Sequence, residues 1–398
     1  MNIQAQIYGC TDNLANNFNT SATINDGSCT YNSVICTPSN SWTMPSAILE
    51  TSGLIFWNDK LWTHNDDTDN KLYRLDTIDI NNYSTVGLSS CINYDWEEIS
   101  QDDSFVYIGD FGNNVNGNRT DLKILRIDKI SILQNNPIID TIYFSYSLQS
   151  NFSPTGTNNT DFDCEAFIVS TDSIYLFTKE WVSSKCTIYS IPKTPGIYSA
   201  NFISTYDVQG LITGATFIEN KKLITLSGYS QLLQPFIFLL YDFNNYSFFD
   251  GNKRKIELNL PFHQVESIAT IDGFKYFITN ESFSQSSITT ISKLHSLDLS
   301  SYLTNYLLPN SINSINKNND YQLYPNPAED YIKIKIDSGY NNFPYSISCY
   351  NQVGQLVDKF ETDAHLVKMN VENYNNGFYY FVINGKKGNV IKGTFIKK

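Results

Sequence analysis

Short apolar segments alternate with polar residues along most of the chain, and Asn, Asp, Gly and Ser separate them. Between residues 52 and 298 this pattern occurs in five copies, each with two apolar strands joined by a tight turn and a third strand that carries an aromatic residue. A period of two with such turns is typical of antiparallel hairpins. The copies open at Ser52, Glu97, Glu165, Thr213 and Glu266.

A repeat of antiparallel units predicts an all-β fold, namely a five-bladed β-propeller over residues 40–308. A fourth strand is readable in three of the copies, at 141–147, 201–206 and 255–260. We expect the segment Trp42–Ile48 to return as the outer strand of the last blade and close the ring. A sixth blade, built from Leu303–Leu308 and the N-terminal segment, is the alternative.

The inner strands of a propeller run along its axis, so the five opening residues are expected to meet there. Three carboxylates in close proximity repel one another unless they are protonated or bridged by a cation. Calcium prefers oxygen ligands of this kind. The sequence therefore predicts a structural calcium ion in the central tunnel, and the alternative is a water-filled acidic tunnel whose glutamates bond to backbone amides.

The strings SGLIFWNDKLW and EEISQDDSFVYIGDFG resemble the calcium-activated nucleotidase (apyrase) family within the blade cores, between about residues 50 and 290. That family is a five-bladed propeller with one calcium ligand per blade. The resemblance implies that Ser52, Glu97, Glu165, Thr213 and Glu266 are the ligands, with Thr213 in place of the family's serine. Much of the propeller also looks like a broad class of secreted bacterial propellers with no settled activity.

The blade tops are predicted to form an acidic rim, with the candidate residues Asp66, Asp110, Glu180, Tyr229 and Glu281. Hydrolysis of a polyphosphate needs several cations on one face. Arg119 and Lys179 are the only obvious cations near this rim. We expect the rim to bind a second calcium ion, or a sugar against exposed aromatic rings of Phe111, Trp181 and Tyr229; a solvated mouth without a ligand is the alternative.

The charge of the 398-residue chain narrows the classes of partner. It carries 27 Lys and Arg against 40 Asp and Glu, a net charge of −13. Nucleic acids and anionic membranes need a basic surface, so neither is expected as a partner. No apolar run approaches the roughly 18 residues of a spanning helix, so we expect no transmembrane segment.

The cysteines predict a stapled module at residues 1–39. Cys10 and Cys29 bracket a polar loop with few apolar residues, which makes them the natural disulfide and indicates an oxidising compartment. The stretch resembles a short module found near the mature N-termini of secreted Bacteroidetes-type proteins. Asp12, Asn16, Asn25 and Asp26 could hold calcium or cap their own loop. The pairing of the remaining cysteines stays open: Cys36, Cys91, Cys164, Cys186 and Cys349.

The C-terminal region has a different pattern. Residues 309–320 are polar and aperiodic, as in a linker, and 321–398 alternate as in a small Ig-like β-sandwich. The order PNPA, NQVGQ and NGFYY, with a terminal strand ending in Lys397-Lys398, resembles the type A C-terminal sorting domain of the type IX secretion system. The resemblance implies recognition by that translocon and a place in the medium or on the outer-membrane surface. A plain adhesion domain is the alternative.

The first residues, MNIQAQ, show no basic or apolar signal region, and Ala5-Gln6 looks like a cleavage site, which suggests that a signal was lost upstream.

Three functions remain open. The favoured one is a non-enzymatic propeller that binds a ligand, glycan or partner at the rim. The second is a hydrolase, either calcium-dependent on phosphoesters or using Asp110 and Glu180 as acid and base. Dispersed carboxylates bridged to Lys or backbone would favour binding over hydrolysis. The third is a structural spacer on the cell surface.

Overall fold

Strands dominate the computed structural model, which confirms the all-β prediction. The structure describes residues 6–66, 69–285, 288–308, 321–336, 343–385 and 390–398. The predicted linker 309–320 and residue Ala5 of the suggested cleavage site lie outside these ranges. The chain divides into two compact units, Met1–Pro309 and Asn310–Lys398. The domain boundaries expected near residues 39 and 308 stay predictions.

The first unit contains 25 strands and two short α-helices within its described residues. The strands before the second repeat copy are β1 (Tyr8–Gly9), β2 (Ile24–Asn25), β3 (Ile35–Cys36), β4 (Asn40–Thr43), β5 (Thr51–Trp57), β6 (Lys60–Asn65), β7 (Lys71–Leu75) and β8 (Tyr83–Gly87). Those of the second and third copies are β9 (Trp96–Gln101), β10 (Phe105–Asp110), β11 (Lys123–Asp128), β12 (Ile139–Tyr146), β13 (Asp163–Val169), β14 (Ser173–Lys179), β15 (Cys186–Pro192) and β16 (Gly196–Tyr206). Those of the last two are β17 (Leu211–Ile218), β18 (Leu223–Tyr229), β19 (Pro235–Tyr241), β20 (Asn252–Leu258), β21 (Val265–Thr270), β22 (Lys275–Asn280), β23 (Phe283–Gln285), β24 (Ile288–Thr290) and β25 (Lys293–Asp298). The helices are α1 (Lys129–Leu133) and α2 (Ser300–Leu307), with 3-10 turns at Glu219–Lys221 and Phe248–Asp250.

These strands form antiparallel meanders in chain order. One sheet is β5-β6-β7-β8, and two further sheets start with β17-β18-β19-β20 and β21-β22-β25. The meanders β9 to β12 and β13 to β16 merge into one eight-stranded sheet, because β12 and β16 pair in parallel at their outer edges. The first strands β5, β9, β13, β17 and β21 contact one another in that order, and β21 contacts β5.

The start of the unit completes its last sheet. Strand β4 pairs antiparallel with β25, with Trp42 opposite Leu294. The expected return of this segment is thus observed, although the strand covers Asn40–Thr43 rather than Trp42–Ile48. The segment Leu303–Leu308, proposed as part of a sixth blade, instead lies mainly in helix α2, because Leu303 and Leu307 are spaced to bury one helical face.

Apolar side chains fill the spaces between successive sheets. Five clusters lie between neighbours around the ring, and the largest rings in them include Trp62, Trp96, Phe167 and Tyr276. Each meander therefore packs against a neighbour on both faces, and the first strands lie toward the centre, where they contact one another.

The N-terminal segment is stapled as predicted, by a disulfide between Cys10 and Cys29. Asp12 caps the Leu14 amide and accepts hydrogen bonds from the hydroxyl groups of Tyr31 and Tyr241 at 2.8 and 2.5 Å. Asn25 donates to Asp242 at 2.9 Å. Asp12 and Asn25, two of the candidate calcium ligands, thus fasten the loop to the end of strand β19.

The other five cysteines, Cys36, Cys91, Cys164, Cys186 and Cys349, are free, and all but Cys91 are buried.

The second unit is a pair of sheets around one apolar core. Its strands are β26 (Tyr321–Tyr324), β27 (Tyr331–Ile336), β28 (Tyr345–Asn351), β29 (Leu356–Thr362), β30 (Leu366–Asn370), β31 (Gly377–Asn384) and β32 (Val390–Lys397). They pair as β26-β27-β30 and β29-β28-β31-β32. Alternate residues such as Ile332, Ile334, Phe381 and Phe395 are buried between the sheets, as a period of two requires.

Candidate functional site

All five first strands carry a β-bulge at the same level. In β13, β17 and β21 the pairing skips one residue, which is Glu165, Thr213 and Glu266 respectively. A bulge bends the strand locally and re-aims the extra side chain. Three of the predicted axial residues are therefore the bulged residues themselves.

The bulges of β5 and β9 place two residues opposite one. In β9, Glu97 and Glu98 face Gly109, and in β5, Gly53 and Leu54 face Thr63. Gly53 has φ of 47° and its absent side chain leaves room for the backbone of β9. Adjacent glutamates in β9 consequently point to different environments.

A polar cavity of about 160 Å³ lies beside these bulges. Ser52, Glu97, Glu165 and Glu266 line it, so four of the five predicted axial residues are brought together. Thr213 is not part of the lining, because its hydroxyl donates to the carbonyl oxygen of Val265 in the neighbouring strand. The full lining is Thr51, Ser52, Asp66, Asp95, Glu97, Asn114, Asn158, Glu165, Lys179, Trp181, Tyr229, Gln264, Glu266 and Glu281.

The ammonium group of Lys179 enters this cavity. It is 3% exposed and its Nζ donates to Glu165 Oε2 at 2.5 Å. Nζ also lies 4.7 Å from the ring centroid of Trp181 and 5.1 Å from that of Tyr229. Burial alone would lower the pKa of Lys179, but the surrounding carboxylates outweigh it and raise the pKa well above the ordinary value. Lys179 is thus charged at neutral pH.

Two carboxyl groups of the lining meet beside Gly112. Asp95 Oδ2 and Glu97 Oε1 each lie 2.3 Å from the position that a Cβ on Gly112 would take. Glycine at this position therefore leaves space into which both oxygens project. Burial and the charges of Glu165, Asp95 and Asp163 raise the pKa of Glu97 well above its usual range.

Three of the five rim candidates line the cavity: Asp66, Tyr229 and Glu281. Tyr229 is 2% exposed, so it is a wall residue rather than an exposed platform. Phe111, predicted to be exposed, is fully buried and packs edge-on against Phe144 and Phe167. Of the three predicted aromatics, Trp181 alone is partly accessible, and its Nε1 donates to Asp163 at 2.8 Å.

Asp110 and Glu180 lie outside the cavity lining, which differs from the prediction of an acid–base pair at the rim. Asp110 is fully buried and forms ion pairs with Arg119 and Lys123, both at 2.8 Å. Glu180 is 5% exposed and accepts hydrogen bonds from the hydroxyls of Thr178 and Thr187 at 3.0 and 2.5 Å. Both carboxylates hold neighbouring strands and loops in place.

Two loops supply amide side chains to the cavity. The β10–β11 loop contributes Asn114 and the β12–β13 loop contributes Asn158, and these two residues are joined by a backbone hydrogen bond of 2.7 Å. A second bond links the Thr155 amide to the Asn116 carbonyl at 2.9 Å. The two loops thus brace each other beside the cavity, where loops on a rigid scaffold commonly bind ligands.

Glu98 is a central residue that the sequence analysis missed. Its carboxylate is fully buried and accepts from the backbone amides of Leu54 at 3.3 Å, Ile99 at 2.9 Å and Ala215 at 2.6 Å. These amides belong to β5, β9 and β17. Glu98 therefore ties three of the five first strands together. Nothing in the sequence distinguished Glu98 from the adjacent Glu97 as the residue with this role.

The groups that surround the ammonium of Lys179 suit an ammonium ion better than a calcium ion. Aromatic faces of Trp181 and Tyr229 flank the cationic group, whereas calcium requires six to eight oxygen ligands. Throughout the described ranges, no group of three or more His, Cys, Asp or Glu side chains is arranged to hold a metal ion.

Glu266 makes the stability of the first unit sensitive to pH. Burial, together with the charges of Glu281, Asp66 and Asp163, raises its pKa from 4.5 to about 8 against the opposing effect of Lys179. Between these values the folded state binds more protons than the unfolded state, so the free energy of unfolding falls as pH rises through this window. At 1.36 kcal/mol per pKa unit, the loss over the whole window is at most about 5 kcal/mol.

Denaturant unfolding at pH 5 and pH 8 measures this effect. We expect Glu266→Gln, which cannot ionise, to have a smaller difference between the two pH values than the wild type. An identical difference in both proteins would contradict the assignment.

No helix in the part of the chain that the structure describes has the length and apolar character needed to cross a membrane.

Three solved structures that match the chain are remote from it in sequence, at 9–11% identity. PorZ, a surface component of the type-IX secretion system of Porphyromonas gingivalis, matches with TM-score 0.31 and 11% identity over 87% of this chain and 45% of that chain. An α-L-arabinofuranosidase from Podospora anserina matches with TM-score 0.41 and 9% identity over 66% of this chain and 97% of that chain. The extracellular domain of a putative one-component system from B. thetaiotaomicron matches with TM-score 0.29 and 11% identity. This match covers 92% of this chain and 59% of that chain. The chain thus spans less than half the length of PorZ, and none of these similarities assigns an activity. No curated protein matches the chain.

The second unit has a specific match. Residues 322–398 match the family described as "Secretion system C-terminal sorting domain". This range begins at the second residue of β26 and ends at the last residue of the chain, so the match includes both sheets of the sandwich. Such a domain indicates export to the medium or the outer-membrane surface. The chain therefore carries a C-terminal sorting domain of the type IX secretion system.

Proposed function

We propose that this exported protein binds a neutral or amino sugar in the axial cavity of a five-bladed β-propeller. The cavity carries the proposal: a space of about 160 Å³ lined by carboxyl and amide side chains, with Trp181 accessible at its wall. The five first strands, each bulged at the same level and in contact around a ring, support the blade count.

The chemistry of the lining favours a polyhydroxylated ligand. Carboxylates and the amides of Asn114, Asn158 and Gln264 accept and donate hydrogen bonds to hydroxyl groups, while an aromatic ring packs against the apolar face of a sugar. A volume of about 160 Å³ is below the ~300–1,000 Å³ of typical drug-sized sites, so the ligand enters with a single ring or chain end.

Charge selects among sugars. Asp66, Asp95, Glu97, Glu165, Glu266 and Glu281 line the cavity against one cation, Lys179. Any remaining negative charge repels uronic and sialic acids, whereas it tolerates neutral sugars and attracts amino sugars.

A saccharide array tests the proposal with matched variants of the full chain. We expect neutral or amino sugars to bind the wild type, and Glu97→Gln and Asn114→Ala to weaken binding at least tenfold. Glu257→Gln on β20 and Asn118→Ala, in the same loop as Asn114 but outside the lining, serve as controls and should bind normally. Binding of acidic sugars, or equal affinity in all four variants, would contradict it.

A hydrolase is the second candidate, favoured by the paired oxygens of Asp95 and Glu97 beside Gly112. Two neighbouring carboxyl groups can act as acid and base in glycoside hydrolysis. Ion pairs favour binding over hydrolysis, because they hold two of the carboxylates in place. Glu165 pairs with Lys179, and Asp110 pairs with Arg119 and Lys123. Release of reducing sugar by the wild type, abolished in Asp95→Asn, would establish hydrolysis.

A further inference from the structure

Glutamates from three different first strands require a positive charge where they converge. Glu97 of β9, Glu165 of β13 and Glu266 of β21 line one cavity and are each at most 8% exposed. Carboxylates buried together cannot all ionise without a cation or a proton. The nature of that cation is a question separate from the ligand that the cavity binds.

Within the described lining, the cationic side chain is Lys179. Its ammonium bonds to Glu165 Oε2 at 2.5 Å and acts electrostatically on all three glutamates, lowering the pKa of each against the burial that raises it. Lys179 is the last residue of β14 and pairs with Asp163 of β13, so its side chain reaches the axis from the strand next to Glu165.

The surroundings of this ammonium suit an organic cation. Trp181 and Tyr229 present their rings within 4.7 and 5.1 Å of Nζ, which is the distance range of a cation–π contact. A calcium ion in this place would face aromatic carbon on two sides, although it takes oxygen ligands at about 2.3–2.6 Å. An ammonium group with three donors needs fewer oxygens and tolerates the rings.

We propose that Lys179 is a built-in counter-cation that occupies the axial place of a divalent metal ion, so that the glutamates of this propeller are held together without calcium. The Lys179 side chain then supplies a permanent positive charge at the axis, whereas a metal ion supplies that charge only when it is bound. Removal of the ammonium leaves a buried, uncompensated carboxylate ring, which becomes a site for an added divalent cation.

The first measurement uses the wild-type full chain. We expect no stoichiometric calcium by mass spectrometry after equilibration with calcium chloride, and the same unfolding midpoint of the first unit in excess calcium chloride and in excess EDTA. Stoichiometric calcium, or a midpoint lowered by EDTA, would overturn the proposal.

Variants then test the charge itself. Removing one partner of a buried ion pair is strongly destabilising, so Lys179→Met should lower the midpoint by about 6 °C or more, and calcium chloride should restore part of the loss. Lys179→Met combined with Glu165→Gln removes both charges and should unfold at a higher temperature than the single variant. Lys221→Met, at an exposed position, is the control.

The two variants keep the test decisive if one of them fails to fold. A soluble Lys179→Met protein with an unchanged midpoint and no response to calcium would overturn the proposal. If Lys179→Met is insoluble and the double variant is also insoluble or no more stable than the single variant, the proposal is likewise overturned. The lost stability would then come from packing rather than from charge.

Discussion

Replacement of Glu98 by alanine is expected to abolish folding of the first unit or to reduce its stability severely. The substitution leaves the backbone amides of Leu54, Ile99 and Ala215 without their acceptor inside the protein. Each buried donor without a partner costs about 1–3 kcal/mol. Three such groups together approach the total stability of ~5–15 kcal/mol that is typical of a folded protein.

The adjacent residue provides the matched control. Glu97 lines the cavity and accepts a long hydrogen bond from the hydroxyl of Ser52, at 3.5 Å. We therefore expect Glu97→Ala to unfold far less readily than Glu98→Ala in denaturant titrations. If Glu98→Ala does not fold, Glu98→Gln, which retains one acceptor oxygen, should be intermediate between Glu98→Ala and the wild type. Equal midpoints for the two alanine variants would refute the role of Glu98.

Removal of the Asp110 carboxylate is expected to have the second large effect. Asp110 is fully buried, and Asp110→Ala leaves the ammonium of Lys123 and the guanidinium of Arg119 without their shared counter-ion. Breaking a buried pair by removal of one partner costs about 3–5 kcal/mol. The same change also releases Arg119 from the loop whose Gly112 carbonyl it binds at 2.9 Å, so the braced loops beside the cavity lose an anchor.

Asp121 is a control that shares a partner with Asp110. It bonds to Arg119 Nε at 3.1 Å, but its side chain is 54% exposed. Exposed ion pairs contribute about 0–1 kcal/mol, so Asp121→Ala should change the unfolding midpoint little. Similar losses for Asp110→Ala and Asp121→Ala in thermal unfolding would show that burial of the pair is not the source of its stability.

The repeat pattern carries much of the information about the axis. Strand alternation and the turn residues predicted the meanders, and the equivalent opening positions predicted that Ser52, Glu97, Glu165 and Glu266 converge. This succeeded for the three glutamates because each lies in the bulge of its first strand, so residues at equivalent sequence positions occupy equivalent positions in the fold. Ser52 directly precedes the bulge of β5. Thr213 shares the bulge, but its hydroxyl is used by the Val265 carbonyl.

Other features depend on tertiary contacts that no local pattern reports. Asp110 and Glu180 looked like rim acids because each ends or follows a second strand, yet basic or hydroxyl side chains from the same meander pair with them. Phe111 directly follows β10 and belongs to the core between two sheets. Lys179 was predicted to be a cation near the rim. That its ammonium extends into the axial cavity depends on the side-chain conformation, which the sequence pattern does not report.

The two units agree in the environment that they imply. A disulfide between Cys10 and Cys29 is favoured in an oxidising compartment, and the sorting domain at 322–398 directs the protein out of the cell. A ligand site held by buried charges and braced loops needs no cellular cofactor in our account, which suits a protein that acts after export.

Intrinsic fluorescence of Trp181 tests the central claim, that the axial cavity is the ligand site. Trp181 lines the cavity, and a sugar that enters it should change the emission of the wild-type protein in a saturable way. Glucosamine and a neutral monosaccharide are suitable probes, with glucuronic acid as the negative control. The account predicts that the saturable change disappears in Trp181→Phe; an unchanged saturable response in that variant would place the site elsewhere and contradict it.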